Sequence, residues 1–238
     1  MSSEARTADA LAEAAVREIE SGMLVGLGTG RAAKRGIHAL ADRVKNENLK
    51  VQCVPTSNGS EALAKELGLE LVDFALVEKI DYLFDGADEV DKELRVLKGS
   101  GGAMTRERIV AWAADRVVYM VDDSKLVDRL GRNNTLAIAV LAFGLTAIRS
   151  ELRAMGLIGV CRRDMNGDLF ITDNGNLILD VTLEDDADLE RISAALNDIP
   201  GVIDHGLFLY EADEVLVDRG EGKIERLIRP EEEDQEHG

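Results

Sequence analysis

Short apolar strands alternate with helical segments through the first half of the chain, and this alternation restricts the fold more than any other feature. The strands are predicted at residues 23–27, 49–54, 69–72, 82–84, 94–97 and 117–121, and the helices at residues 7–21, 31–44, 58–67 and 103–114. Parallel strands need crossover connections, which are usually helices. The alternation therefore predicts an α/β fold with a doubly wound parallel sheet.

The pattern of elements changes after Gly131. Strands are predicted at residues 135–142, 159–163, 170–172, 177–182 and 206–210, helices at residues 145–155 and 189–196, and tight turns at two Asn-Gly pairs. This β-α-β-β-α-β order is typical of a small ferredoxin-like α+β sandwich.

We therefore predict two domains. Residues 1–131 plus 208–238 would form the parallel-sheet domain, with a strand at residues 215–217 that returns to the first sheet, and residues 132–207 would form the small α+β domain. The charged tail after Pro230 is predicted to be disordered.

The charge balance excludes several partners. Asp and Glu number 46 against 28 Lys and Arg, a net charge of −18. Nucleic acid and anionic membranes bind clustered bases, so neither is expected as a partner. There is no apolar run of the ~20 residues that span a bilayer, and the first residues do not resemble a signal peptide. We predict a cytoplasmic protein, with Cys53 and Cys161 reduced in core strands and no metal site among three scattered histidines.

The bases are biased, since 19 are Arg and nine are Lys. An acidic excess with few lysines is typical of a salty cytoplasm, because at ~1 M salt the Debye length is only about 3 Å and self-repulsion is screened. An ordinary acidic protein is the alternative. If the chain is salt-adapted, acidic runs are weak evidence for function, and each lysine is more informative.

Four segments lie where a predicted strand ends at a turn, and ligands of open α/β sheets bind at that edge. The first, residues 26–30, resembles a dinucleotide fingerprint, but Arg31 stands where the third glycine belongs. A glycine turn before a helix can bind phosphate at the helix N-terminus, and Arg31 could add donors. A purely structural tight turn explains the loop equally well.

The other three segments carry charged side chains. Residues 85–91 contain spaced carboxylates, and Asp85 directly follows an apolar strand. These carboxylates could transfer protons or hold a metal, and the alternative is a solvated acidic loop. Lys98 precedes a glycine nest suited to an oxyanion or a phosphate, and Glu107 lies about one turn into the following helix. Glu107 is a plausible general base or a solvent-exposed helix residue. Lys125 again follows a strand, where it is either a ligand contact or part of a charged turn.

Three further side chains are assigned structural roles. His38 lies in the middle of a helix, His205 in a predicted turn, and Trp112 is predicted to pack its helix against the sheet.

Taken in order, the segments resemble type A ribose-5-phosphate isomerase. The matching motifs are GLGTG, VPTSNGSEALAKELG, DGADEVD, KGSGGAMTRERIVA, DDSKLV and GNLILDV, which span the chain. The resemblance implies a Rossmann-like domain with a smaller inserted α+β domain. It also implies interconversion of ribose 5-phosphate and ribulose 5-phosphate without a metal or cofactor, with a sugar phosphate as the small-molecule partner. We also expect a homodimer or homotetramer.

The resemblance implies roles for single residues. Glu107 would move a proton between C1 and C2, and Lys98 would stabilise the enediolate oxygen. Asp85 would assist ring opening, and Asp88 would hold substrate hydroxyls. The substrate-binding residues would be Thr29, Gly30, Arg31, Ala32, Asp85, Gly86, Ala87, Asp88, Lys98, Gly99, Ser100, Gly101 and Lys125.

The phosphate contacts depart from the family pattern. The family's turn usually continues with Ser and Thr, where this chain has Arg31 and Ala32. The family often has a lysine in the first helix where this chain has Ala8, with Arg6 the nearest base. Arg31 is the predicted replacement.

Two rival functions remain. A sugar-phosphate deaminase or coenzyme A transferase of related fold would need different site residues. A sugar-phosphate-sensing module would need neither Glu107 nor Lys98, and about twenty residues before the first strand are too few for a DNA-reading helix-turn-helix.

Overall fold

The computed structural model describes residues 9–230. The predicted disordered tail lies outside the described residues, as do Arg6, Ala8 and the first two residues of the predicted first helix. Within residues 9–230, no helix is both long enough and apolar enough to cross a bilayer.

Strands and helices account for most of the described chain. The helices are α1 (Ala10–Val16), α2 (Arg31–Asn46), α3 (Asn58–Glu66), α4 (Met104–Trp112), α5 (Leu145–Ala154) and α6 (Leu189–Asn197). The strands are β1 (Leu24–Leu27), β2 (Gln52–Pro55), β3 (Glu70–Leu71), β4 (Tyr82–Gly86), β5 (Glu89–Val90), β6 (Val96–Leu97), β7 (Val117–Asp122), β8 (Leu136–Val140), β9 (Gly159–Cys161), β10 (Leu177–Val181), β11 (Val202–His205), β12 (Leu207–Phe208), β13 (Glu214–Asp218) and β14 (Ile224–Ile228).

The largest sheet has seven strands in the order β14-β13-β7-β4-β1-β2-β3. All neighbours pair in parallel except β13 and β14, which are antiparallel. The predicted Rossmann-like sheet is therefore confirmed, including the strand at residues 215–217 that returns to it. The chain runs outward from β1 to β3 and then crosses back to β4, so the order reverses between β1 and β4. Ligands of such sheets bind at that reversal.

Helix α2 shows why this layer packs closely. Its buried residues recur at helical spacing and form one apolar stripe: Ala33, Gly36, Ile37, Leu40 and Ala41. A Cβ at Gly36 would lie 2.6 Å from the ring of Phe84 in β4, so glycine allows the helix to lie directly on the sheet. The glycine turn that ends at Gly30, the N-cap of α2, is thereby held close to β4.

A four-stranded antiparallel sheet has the order β11-β8-β10-β9. This is the predicted ferredoxin-like arrangement, and its apolar core is formed with α5 and α6. Two predicted strands differ. Residues 170–172 contribute only an isolated bridge, from Ile171 to Leu177, because the hairpin turns again within a few residues. Residues 206–210 contain only the short β12, which joins β5 and β6 in a third sheet. The domain boundaries at 131/132 and 207/208 stay predictions.

Two of the structural assignments are wrong. Trp112 is 83% exposed, because α4 turns a different face toward the interior, formed by Met104, Glu107, Val110 and Ala111. His205 lies in β11 and is buried, rather than in a turn. Its Nδ1 accepts a hydrogen bond from the Leu207 amide, and burial lowers the pKa of His205 to about 3. Aromatic size and sequence position do not reveal which way a helix faces.

Candidate active site

The reversal of strand order brings the first two predicted segments together. Gly28 follows β1, and Asp85 lies near the end of the adjacent β4. A Cβ at Gly28 would stand 2.2 Å from Asp85 Oδ1, so only glycine lets the carboxylate occupy this position. Asp85 Oδ1 accepts hydrogen bonds from the backbone amides of Thr29, at 2.9 Å, and Gly86, at 2.7 Å. The glycine loop and the acidic motif therefore form a single structure.

Lys98 joins this structure to the third segment. It follows β6, and its Nζ lies 2.9 Å from Asp85 Oδ2 and 3.2 Å from Glu107 Oε1. The same ammonium donates to the Gly86 carbonyl at 2.5 Å. Among residues 9–230, no group donates a hydrogen bond of normal geometry to Asp85 Oδ2. The Lys98 ammonium is the opposite charge beside this oxygen. The lysine, at 4% exposure, is as buried as the two acids, which are 1% and 5% exposed.

The buried cluster of Asp85, Lys98 and Glu107 contains two carboxylates and one ammonium. If all three groups were ionised, the cluster would carry a net negative charge, which burial disfavours. Burial raises the pKa of Glu107 to about 8, and the charge of Lys98 only partly offsets this. Burial likewise raises the pKa of Asp85, again against the effect of Lys98. Burial alone would lower the pKa of Lys98, but the two carboxylates raise it above its usual value. A carboxylate with a pKa near neutrality is suited to taking up and returning a proton.

Asp88 holds the glycine loop at its other side. Its Oδ2 accepts the Ser100 amide at 2.9 Å, and its Oδ1 accepts the Ser100 hydroxyl. Gly99 takes a φ of 109°, in the region that only glycine enters freely, and its missing Cβ leaves room for Ala137 and Met104. The loop therefore has a defined shape between Asp88 and the start of α4.

These groups line a cavity of about 670 Å³. The predicted residues along it are Thr29, Gly30, Arg31, Ala32, Gly86, Ala87, Asp88, Lys98, Gly99, Ser100, Gly101, Glu107 and Lys125. Asp85 lies behind Lys98 instead of on the cavity surface. The cavity is also lined by residues that sequence reasoning missed, namely Leu11, Arg35, Met120, Val121, Asp122 and Asn134.

A local sequence pattern signals some of these additional cavity residues but not others. Arg35 lies one helical turn after Arg31, so the spacing of four was a usable signal. Its guanidinium is held by Asp9 through two hydrogen bonds, from Nε at 2.6 Å and from Nη2 at 2.7 Å. Asn134 reaches the cavity through a long-range contact, because the buried carboxylate of Glu89 accepts four consecutive amides from Gly131 to Asn134. No local pattern signals that contact.

The cavity changes character toward the N-terminus of α2. Gly30 is the N-cap and takes a φ of 98°, and its carbonyl starts the helix by accepting the Lys34 amide. The first amides of the helix carry no intrahelical partner and a positive dipole end, which suits an anion. Arg31 is exposed there, and its guanidinium makes no ion pair with another residue of the described chain. Lys125, in the turn after β7, adds a second cation.

The donor types present indicate the class of chemistry. Among the described residues, no group of three or more His, Cys, Asp or Glu side chains is arranged to hold a metal ion. What the site offers is a carboxylate of raised pKa, a fixed ammonium beside it, and cations at the open end. The fold and site together define an enzyme of the Rossmann-like class that moves a proton on a small anionic substrate.

Comparisons with known proteins narrow this class to one family. The family model for ribose 5-phosphate isomerase A (phosphoriboisomerase A) matches residues 52–222. The chain is 46% identical to ribose-5-phosphate isomerase A of Roseiflexus sp. (strain RS-1), over 90% of this chain and 92% of the relative, and 42% identical to that of Sphingopyxis alaskensis, over 87% and 90%. The chain belongs to the ribose 5-phosphate isomerase A family.

Solved structures agree with this assignment. The fold matches ribose 5-phosphate isomerase A from Methanocaldococcus jannaschii with a TM-score of 0.86 at 36% identity, covering 92% of this chain and 96% of the other. It matches a D-ribose-5-phosphate isomerase solved in complex with phospho-erythronic acid with a TM-score of 0.88, at the same identity and coverage. The predicted family and fold class are therefore confirmed.

Proposed function

We propose that this protein interconverts D-ribose 5-phosphate and D-ribulose 5-phosphate through an enediolate, with Glu107 as the base. The observation that carries the proposal is the buried cluster, in which the Lys98 ammonium lies between the carboxylates of Asp85 and Glu107 at the wall of the cavity. Family membership supports the substrate, and the cluster supports the residue roles.

The reaction is a proton transfer with no net change in atoms. In the open-chain aldose, the Glu107 carboxylate takes the proton from C2, and the electron pair moves to form the C1–C2 double bond while negative charge develops on the C1 oxygen. The same proton is then delivered to C1, and the proton of the C2 hydroxyl passes to the C1 oxygen, which leaves the ketose. One base therefore serves both directions.

Lys98 would stabilise the charge that develops on oxygen. A fixed cation aimed at such an oxygen, in a site shielded from water, contributes several kcal/mol to a transition state. Asp85 holds Lys98 from behind and is the predicted group for ring opening. Asp88, which lines the cavity and orients Ser100, is proposed to bind substrate hydroxyls.

We place the phosphate at the open end of the cavity. The N-terminus of α2 supplies amide donors, and Arg31 and Lys125 supply positive charge. Arg31 and Ala32 occupy the turn in which the family usually has Ser and Thr, so Arg31 is the proposed replacement donor. Arg35 is a weaker candidate because Asp9 already engages two of its nitrogens.

The test is an isomerase assay on the purified chain. Ribose 5-phosphate is added in high salt without added metal, and ketose formation is followed over time. Turnover by the wild type that is lost in Glu107→Gln supports the proposal. Binding of ribose 5-phosphate without turnover would instead indicate a sensing module, and absence of both would overturn the sugar-phosphate assignment.

We also propose a cellular location and an oligomeric state for the protein. The composition supports a cytoplasmic, salt-adapted enzyme, and we propose a homodimer or homotetramer. Light scattering of the purified chain at low and high salt measures the assembly, and a monomer at both would contradict this part of the proposal.

A further inference from the structure

Arg162 connects the four-stranded sheet to the glycine loop of the active site. It directly follows β9, and its backbone is held on both sides, by the Ile178 carbonyl and the Phe170 amide. Its guanidinium is oriented by Asp180 of β10, which accepts from Nε at 2.9 Å and also from Nη2. A two-point contact of this kind leaves the third nitrogen in a defined direction.

That third nitrogen reaches the active-site loop. Arg162 Nη1 donates to the carbonyl of Gly99 at 2.6 Å and to the carbonyl of Ser100 at 3.1 Å. In a trans peptide the N–H points away from the C=O. The two carbonyls that face Arg162 therefore turn the amides of Ser100 and Gly101 the opposite way.

The opposite side is the cavity side. The Ser100 amide donates to Asp88, and Gly99, Ser100 and Gly101 all line the cavity. Within the described residues, no hydrogen bond of the Gly101 amide is found, so this donor remains available to a ligand. The orientation of the loop amides thus depends on a side chain that lies outside the cavity.

Phe170 restricts the loop further. A Cβ at Gly102 would lie 2.5 Å from the Phe170 ring, and the Arg162 guanidinium stands 5.8 Å from the centre of the same ring. The loop is therefore packed as well as hydrogen-bonded against the four-stranded sheet.

We propose that Arg162 is a positioning residue that holds the Gly101 amide of the glycine loop toward the developing enediolate. The inference rests on the proposed isomerase function. It gives the four-stranded sheet a role in catalysis, since its Arg162–Asp180 pair sets the direction of donors that belong to the other sheet's site. Arg162 itself touches neither the substrate nor the reacting atoms.

The test compares Arg162→Lys with Arg163→Lys as a matched control. Arg163 is the next residue, is exposed, and donates to the local Gly167 carbonyl in its own hairpin. Lysine keeps the charge but cannot contact Asp180 and the two carbonyls together. We expect kcat for ribose 5-phosphate to fall about tenfold in Arg162→Lys with KM within about twofold, because loosely placed donors act chiefly on the transition state. Arg163→Lys should match the wild type.

A pair of inhibitors separates positioning from simple destabilisation. Phospho-erythronic acid carries a carboxylate that mimics the enediolate, and erythritol phosphate has a hydroxymethyl group instead. Arg162→Lys should weaken binding of the acid about tenfold and leave the alcohol within about twofold, since only the anion needs the oriented Gly101 amide. Asp180→Asn, which keeps the arginine but loosens its orientation, should show the same selectivity to a smaller degree.

The outcomes are distinguishable. A wild type that does not isomerise ribose 5-phosphate refutes the proposed function itself. A normal wild type with Arg162→Lys indistinguishable from Arg163→Lys overturns the positioning role. Equal weakening of both inhibitors also overturns it, because that result indicates a general loss of structure.

Discussion

The two ends of the cavity are built differently. At the inner end, Asp85, Lys98 and Glu107 are buried, and each charge lies within 3.2 Å of an opposite one. At the open end, Arg31 is exposed and pairs with no other described residue, beside the N-terminus of α2. The same kinds of charge therefore work in two different dielectric environments.

The difference indicates how the work is divided. Burial raises the pKa of Glu107 to about 8 and reduces screening of the ammonium, so under the proposed function we expect the inner end to act on the transition state. Water and salt screen the open end, so we expect its cations to contribute to capture of the phosphate instead. Substitutions at the inner end should lower kcat, and substitutions at the open end should raise KM.

Loss of the base should have the largest effect. Glu107→Gln keeps the size and hydrogen bonding of the side chain but cannot accept the proton, so kcat should fall by about 10² or more. Glu61→Gln, at a half-buried helical glutamate paired with Lys65, is the control. Isomerisation in heavy water should place deuterium, at least in part, at the carbon next to the carbonyl in the wild type. Near-full turnover of the variant would show that another group is the base, and Asp88 and Asp85 would be tested next.

Loss of the lysine should affect both chemistry and folding. Lys98→Met leaves two buried carboxylates without their cation, and breaking a buried pair costs about 3 kcal/mol or more. The folded-state pKa values of both acids, already raised, should rise further, so the stability loss should be greater at pH 9 than at pH 6. Urea unfolding at both pH values measures this, with the exposed Lys92→Met as the control. A pH-independent loss would contradict the charge argument.

Loss of the open-end arginine should raise KM by about tenfold, because a charge-assisted hydrogen bond contributes ~1.5–3 kcal/mol. Arg31→Ala should leave kcat nearly unchanged and should affect unphosphorylated ribose much less. Lys34→Ala, on an exposed position of the same helix, serves as the control. An equal loss of activity on ribose and on ribose 5-phosphate would show that Arg31 has a structural role. That result would contradict the proposed difference between the two ends of the cavity.

The pH dependence of kcat/KM should reflect the ionisation of Glu107 at the inner end. With the pKa of Glu107 at about 8, the active carboxylate form grows as pH rises, so kcat/KM should increase with pH and level off above about 8. The sign is opposite for stability: a raised carboxyl pKa favours the protonated folded state, so this contribution is lost as pH rises from the ordinary value of 4.5 through about 8. Thermal unfolding of wild type and Glu107→Gln across this range should therefore differ progressively. Parallel curves would refute the shifted pKa.

Salt should have the smallest effect on the chemistry and a visible one on the fold. The net charge of −18 predicts a melting temperature that falls as salt is lowered from molar to millimolar. Under conditions where the chain is folded, kcat should change by less than about twofold, because the buried charges are screened little by ions. A melting temperature independent of salt would remove the argument for a salt-adapted protein.

The amino-acid sequence predicts the positions of helices and strands better than it predicts which face each of them buries. The predicted strand at residues 82–84 and the helix at 103–114 are present as β4 and α4, because apolar runs and glycine stops are local signals. The buried face of α4 was not predictable in the same way, since Glu107 occupies an interior position that polarity alone would assign to solvent. The same rotation leaves Trp112 on the surface.

By itself, the sequence determined the alternation of strands and helices, and the motifs that identify the family. It also placed the four glycine or charged turns at strand ends, because those depend on residues near one another in the chain. Only the tertiary structure decided that Asp85, Lys98 and Glu107 share one buried cluster. It also decided that Glu89 accepts a hydrogen bond from the Asn134 amide and that Arg162 donates to the glycine loop. Such contacts are set by which strands become neighbours and how deeply each charge is buried, and these are properties of the packed molecule that no local pattern encodes.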